Sequence, residues 1–254
     1  MTNREKYHFD DFTLANYKRL VQMAVERGFR FILHKDEFVP ERKDVIWRHD
    51  VEFEPDIALK MALIEEEIGV KATYFFQLHS TFYNIVDPHY RDIFHRIKEL
   101  GHCVGLHFDS AYWGITDESQ LNDYITIDKN YFETNMGVVV DTFSFHNTTP
   151  FTQSCLAYRY GGLINSYASF FKEHYNYCGD SLGYWRFDRL EDVLNDEKVQ
   201  HLQVLTHDGN WSEGILSPRK RFAKIMNDRA ERLINNQVEG LHRKGMICPD
   251  DKDD

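Results

Sequence analysis

The run Val45-Ile46-Trp47-Arg48-His49 passes without a break into Asp50-Val51-Glu52-Phe53-Glu54 and then Pro55. Its apolar, β-branched and aromatic start reads as a strand. Pro55 can open a helix, because its fixed φ suits the first turn and no N–H is needed there. Ile57, Leu59, Met61 and Ile64 follow on that helix, and Gly69 stops it. One strand thus delivers a histidine and two carboxylates to its carboxyl end, just before a helix. In an extended chain Asp50 and Glu52 point one way and His49 the other, so the segment can supply one metal ligand and one general base. A buried aspartate that only caps the helix at Pro55 is the plainer reading, and it leaves His49 unexplained.

Outward from this unit the same alternation repeats. Upstream, Thr13 can cap a helix with Leu14, Tyr17, Leu20, Val21 and Ala24 on one face, ending at Gly28, before a strand over residues 29–33. Downstream come a strand at 72–78, a helix at 88–100 ended by Gly101, a strand at 103–108, a helix at 118–136 and a strand at 138–145. Residues 148–183 are rich in Tyr, Phe, Gly and Ser without a sustained period, and are expected to form loops and short helices over the mouth of the fold. A short helix at 190–194, a strand at 203–206 and a final helix from Ser217-Pro218 to about Leu241 complete the pattern. The charged residues 249–254 are expected to be disordered. Strand–helix alternation implies a parallel sheet. No glycine-rich phosphate loop follows the first strand, so a barrel with its site at the carboxyl ends of the strands fits better than a doubly wound nucleotide fold. With no internal repeat and no linker, residues 1–254 are expected to form one domain.

The 254 residues are 42% hydrophobic and 28% charged, enough for a large core, and the formal charge of -11 argues against nucleic acid or an anionic membrane as partner. No apolar stretch is long enough to span a bilayer, and the polar start of the chain lacks an apolar signal region, so a cytoplasmic location is expected. Cys103, Cys155, Cys178 and Cys248 show no CxxC spacing and read as free thiols in a reducing compartment.

Of 13 histidines, five fall at the carboxyl ends of predicted strands: His49, His79, His107, His146 and His207. A lone strand-end histidine is usually a satisfied structural group. Five on one barrel rim call for a common cause, and a metal site with acid/base groups supplies it. In Gly101-His102-Cys103-Val104-Gly105-Leu106-His107-Phe108-Asp109, His107 and Asp109 emerge together while His102 sits at the strand's start as a structural polar group. Ser144-Phe145-His146-Asn147 delivers a third histidine. Leu205-Thr206-His207-Asp208-Gly209-Asn210-Trp211 delivers a fourth, with a tryptophan that could stack on a sugar.

These segments, in this order, resemble the NodB-homology polysaccharide deacetylases, and more closely the bacterial subgroup found among surface-polysaccharide biosynthesis proteins. The family's acidic pair is matched by His49-Asp50, its "ATFF" strand by Ala72-Thr73-Tyr74-Phe75-Phe76, its "GHEIGNH" segment by Gly101 to His107, and its late leucine-histidine motif by Leu205 and His207. The resemblance spans residues 44–211. Two departures stand out: one member of the acidic pair is His49, and Ala111 stands where the family has a second ligand histidine. The resemblance implies a distorted (β/α)7-type barrel and a metal-dependent hydrolase that removes an N-acyl group, acetyl above all, from an amino sugar. One divalent ion, with Zn²⁺ the first expectation, would be held by Asp50, His107 and His146, with Asp109 the alternative third ligand. His49, or Glu52, would be the base, His207 the acid, and His79 and Trp211 substrate contacts. The substrate would be an N-acylated sugar, or its nucleotide- or lipid-linked form. The competing readings are a catalytically silent carbohydrate-binding protein on the same barrel and a metal hydrolase for a different acyl group.

Overall fold

Strands β1 (Arg30–Ile32) and β2 (Asp44–Val51) form where the sequence predicts them, and every residue of β2 is buried. A strand covered on both faces carries a nearly continuous apolar run, which is why Val45, Ile46 and Trp47 show no alternation. β3 (Thr73–Gln77), β4 (Cys103–Phe108) and β5 (Thr142–Phe145) follow, separated by the helices Pro55–Ile68, Pro88–Glu99 and Leu121–Met136. The computed structural model describes residues 1–248, so the tail expected to be disordered lies outside the described residues.

Two expectations need correction. The strand predicted to begin at residue 138 begins at Thr142, because the preceding helix ends in the left-handed Gly137 (φ 63°) and Val140 N–H is drawn back to the Glu133 carboxylate at 3.0 Å. Residues 148–183 hold three strands as well as short helices: β6 (Arg159–Tyr160), β7 (Leu163–Asn165) and β8 (Asn176–Gly179). At two to four residues each, they are too short for side-chain alternation to be read. β9 (His201–His207) and the helix Pro218–Arg243 then close the chain.

The strands form one nine-stranded sheet. Its parallel part runs in the order β8-β9-β2-β3-β4-β5-β7; β6 adds antiparallel to β7, and β1 pairs with the first part of β2. This is the expected distorted (β/α)7-type barrel, left open between β8 and β6. β9 lies beside β2 along its whole length, Asp44↔His201 through Asp50↔His207. β4 sits in register with β3 at Gln77↔His107 and with β5 at His107↔Ser144. The carboxyl ends of β2, β4, β5 and β9 therefore open on one rim. Outside the sheet, the helix Leu14–Glu26 is capped by Thr13, which accepts from Asn16 N–H at 3.1 Å, and buries Leu14, Tyr17, Leu20, Val21 and Ala24 as its spacing predicts. Among the described residues no helix is long and apolar enough to cross a membrane.

One buried group makes the fold acid-sensitive. His34 meets the edges of the Phe75 and Phe171 rings, and neither of its ring nitrogens has a hydrogen-bond partner. Burial, helped by the charge of Arg48, lowers its pKa from 6.5 to about 3. The folded chain keeps this imidazole neutral, while the unfolded chain protonates it below 6.5. Its contribution is thus intact above that pH and is lost as pH falls through the window down to about 3, at up to ~1.4 kcal/mol per pH unit. His34→Phe should therefore lose roughly 1.5 kcal/mol less than the wild type between pH 6.5 and 5, read from urea midpoints. Equal pH slopes in the two proteins would count against this account.

Candidate metal centre

Glu52 lies one residue beyond the end of β2, His107 within β4, and His146 one residue beyond β5. His107 Nε2 is 2.9 Å and His146 Nδ1 3.0 Å from Glu52 Oε1, and the two nitrogens are 3.2 Å apart. These ligand atoms all lie within 4.8 Å of one another, the one such group among the described residues. Two imidazole nitrogens that touch each other and share one carboxylate oxygen are turned towards a common point. Two histidines and a carboxylate are also the donor set of open zinc sites. Burial alone would raise the Glu52 pKa, but hydrogen bonds from His107 and His146 and the charge of His207 hold it well below the usual carboxylate range.

Asp208 positions Glu52. Its Oδ1 accepts from Glu52 N–H at 2.9 Å, its Oδ2 from Phe53 N–H at 3.0 Å, and Glu54 N–H also donates to Oδ2. Three successive amides at the end of β2 thus close around one fully buried carboxylate. Asp208→Ala would leave those amides without their acceptor. At roughly 1–3 kcal/mol for each buried group left unsatisfied, the variant is expected to lose about 3 kcal/mol or more of stability, with Asp208→Asn losing less. A urea midpoint unchanged in Asp208→Ala would refute this role.

His207, at the end of β9, stands beside the cluster with Nε2 4.0 Å from Glu52 Oε1. Its Nδ1 is 2.6 Å from Asp180 Oδ1, and Asp180 Oδ2 accepts from the Trp211 indole N–H at 3.0 Å. Burial works to lower the His207 pKa, but the Asp180 carboxylate outweighs it and pushes the pKa up to about 10. Asp50 stands beside His207, in register on the neighbouring strand β2. Its Oδ2 accepts from Ser144 Oγ at 3.0 Å and stands 3.6 Å from the Arg48 guanidinium, while its buried Oδ1 has no partner. Asp50, Glu52 and His207 all line one cleft of about 490 Å³, with Phe145, Tyr167 and Phe222 as apolar wall.

The other expected site residues are not all brought here. His49 faces the helices, where its Nδ1 is 2.6 Å from Thr206 Oγ1 and its Nε2 2.7 Å from Glu65, which also accepts from Tyr74 at 2.6 Å. Fully buried in that cluster, it is out of reach of the cleft, so the expectation that it acts as base is corrected. Trp211 is also fully buried, its N–H spent on Asp180, and has no face to offer a sugar. Asp109 caps a turn by accepting from Ala111 N–H at 2.9 Å and is not among the three grouped ligand atoms. His79 lines a smaller cleft of about 300 Å³ together with Glu52 and His146; its Nε2 is 3.0 Å from Asp128, and Tyr112 stacks on its ring. The sequence reading missed Asp180 and Asp208. Asp208 is visible in the sequence as the acidic residue that follows His207 at a strand end, whereas Asp180 follows a strand too short to recognise.

No protein-family model matches the chain, and no curated protein matches it. Among solved structures it is similar to a family 4 carbohydrate esterase from Bacillus anthracis, at 16% identity and a TM-score of 0.46 over 85% of this chain and 86% of that one. It is similar to the chitin deacetylase of the fungal pathogen Colletotrichum lindemuthianum, at 16% identity and 0.44 over 78% and 86%. A third similar structure is a CE4 family pseudoenzyme from Bacillus anthracis, at 12% identity and 0.42 over 75% and 63%. These likenesses are distant, and the chemistry of this chain is read from its own side chains.

Proposed function

We propose that the chain is a metal-dependent hydrolase that removes an N-acyl group, acetyl first among them, from an amino sugar. The observation that carries this reading is the meeting of Glu52, His107 and His146 beside an imidazole paired with a buried carboxylate, His207 with Asp180. Glu52, His107 and His146 would hold the ion, for which Zn²⁺ is the best match. The chemistry such an ion supplies is to lower the pKa of water from 15.7 towards about 7 and to polarise an acyl oxygen.

The remaining work falls to the chain's own groups. Asp50 is the general base: it lines the cleft, Ser144 and Arg48 fix its Oδ2, and its buried Oδ1 is left unpartnered. His207 is the general acid. Asp180 accepts from its Nδ1–H and its charge stabilises the imidazolium, in which Nε2 carries the proton that an amine leaving group requires. These assignments exchange the roles that the sequence alone suggests for Asp50 and Glu52. A cleft of about 490 Å³ is of the size that admits a small ligand, and Phe145, Tyr167 and Phe222 with Asn147 and Asn210 give it the mixed apolar and amide lining that suits a sugar ring. His146 supplies the ligand that Ala111 cannot, which weighs against a silent binding protein. The setting that the sequence resemblance implies is bacterial surface-polysaccharide metabolism.

The test is acetate release from a panel of N-acetylated amino sugars, monomeric, oligomeric and nucleotide-linked. Release should require an added divalent ion, stop with a chelator and return when the ion is restored. Release indifferent to the chelator would sink the reading.

A further inference from the structure

The open side of the barrel forms a second cavity of about 450 Å³. Its walls come from β8, through Tyr177 and Gly179, and from the segment after β7, through Tyr167, Phe171 and Tyr175. Thr148, Tyr167, Ser181 and Arg186 line both this cavity and the metal cleft, so the two spaces adjoin.

Charge and shape together select an occupant. The chain has 41 acidic against 30 basic residues, yet no carboxylate lines this cavity while Lys172 and Arg186 do. Among the described residues no carboxylate pairs with Arg186, whose guanidinium lies 5.1 Å over the Phe187 ring. Beneath the floor, buried Arg48 donates to Tyr167 Oη at 2.8 Å and to Ser166 Oγ, placing a third cation under two of the lining residues. Phe187 and Tyr177 are 71% and 40% exposed, so both rings offer faces for stacking. An unpaired guanidinium with hydroxyls beside it suits phosphate oxygens. Aromatic faces beyond it suit a planar base, because every base has a π-face to stack.

We propose that the seam holds a nucleoside diphosphate, so that the substrate is a nucleotide-linked N-acyl amino sugar. The acyl sugar lies in the metal cleft, the diphosphate at the junction against Arg186, Thr148 and Ser181, and the base between Phe187 and Tyr177. This rests on the N-acyl hydrolase reading and narrows its substrate.

Calorimetric titration of the protein with UDP, CDP, ADP and GDP tests it, with inorganic pyrophosphate and chitobiose as controls. At least one nucleoside diphosphate should bind about tenfold tighter than either control and lose about tenfold in affinity in Arg186→Gln and in Phe187→Ala, with Arg186→Lys in between because it keeps charge but not the forked donors. Pyrophosphate binding as tightly as every nucleotide would mean an anion patch only and overturn the proposal. So would chitobiose binding more tightly than all of them, or no nucleotide binding at all. The two readings fail separately. Acetate released from oligosaccharides by a protein that ignores nucleotides removes this proposal alone. Nucleotide binding without ion-dependent acyl hydrolysis of any substrate keeps the seam site and removes the hydrolase.

Discussion

Glu52→Ala is expected to hold less than about a tenth of an equivalent of zinc and to release acetate no faster than background, because a site with three protein ligands has no redundancy. His107→Ala should behave alike, since its Nε2 stands 2.9 Å from the same carboxylate oxygen. Asp50→Asn makes the contrast. Its Oδ2 accepts from Ser144 and stands 3.6 Å from Arg48 and 3.8 Å from His107 Nδ1, the ring nitrogen that faces away from the grouped ligand atoms, so the variant should keep its metal. It should still lose roughly 10²–10⁴-fold in turnover, the usual worth of a general base. Elemental analysis alongside the rate assay separates the two roles. Metal lost in Asp50→Asn and retained in Glu52→Ala would restore the assignment the sequence suggests and overturn the one proposed here.

His207→Ala should retain metal and drop turnover on an N-acetyl sugar by roughly 10²–10⁴-fold. An aryl ester of the same acyl group needs little protonation to depart, so the same variant should be hurt far less on it. If His207 only steadies the rim, amide and ester rates should fall by the same factor. Asp180→Asn adds a readout that a purely structural role would not move. Burial works to lower the His207 pKa, and the Asp180 carboxylate, with the charges of Glu52 and Asp50, overcomes it and lifts the pKa to about 10. The proton-donating form is present below that value and lost above it, so the alkaline limb of kcat/KM reports it. Removing the charge of Asp180 should move that limb down by more than about one pH unit. An alkaline limb that stays in place would separate Asp180 from the acid.

Much of the barrel was legible because its strands are buried on both faces and its helices carry one apolar stripe, as in β2 and in the helix Leu14–Glu26. The short strands β6, β7 and β8 were not, since two to four residues show no period. At the site, alternation along β2 correctly sends Asp50 and Glu52 to one face and His49 to the other. What alternation cannot decide is which carboxylate meets the histidines. Glu52 lies beyond the strand end with one more methylene, and it reaches His107 and His146, while the shorter Asp50 stays level with Ser144 and Arg48. Trp211 reads as a surface aromatic until the structure shows its N–H committed to buried Asp180. Such pairings join residues 31 apart through tertiary packing, and no local pattern encodes them.

The most direct test is an anomalous-difference map at the zinc edge from crystals grown with Zn²⁺. The account predicts one peak within about 2.0–2.2 Å of Glu52 Oε1, His107 Nε2 and His146 Nδ1. A map without a peak there, or with its peak on Asp50 and Asp109 instead, would contradict it.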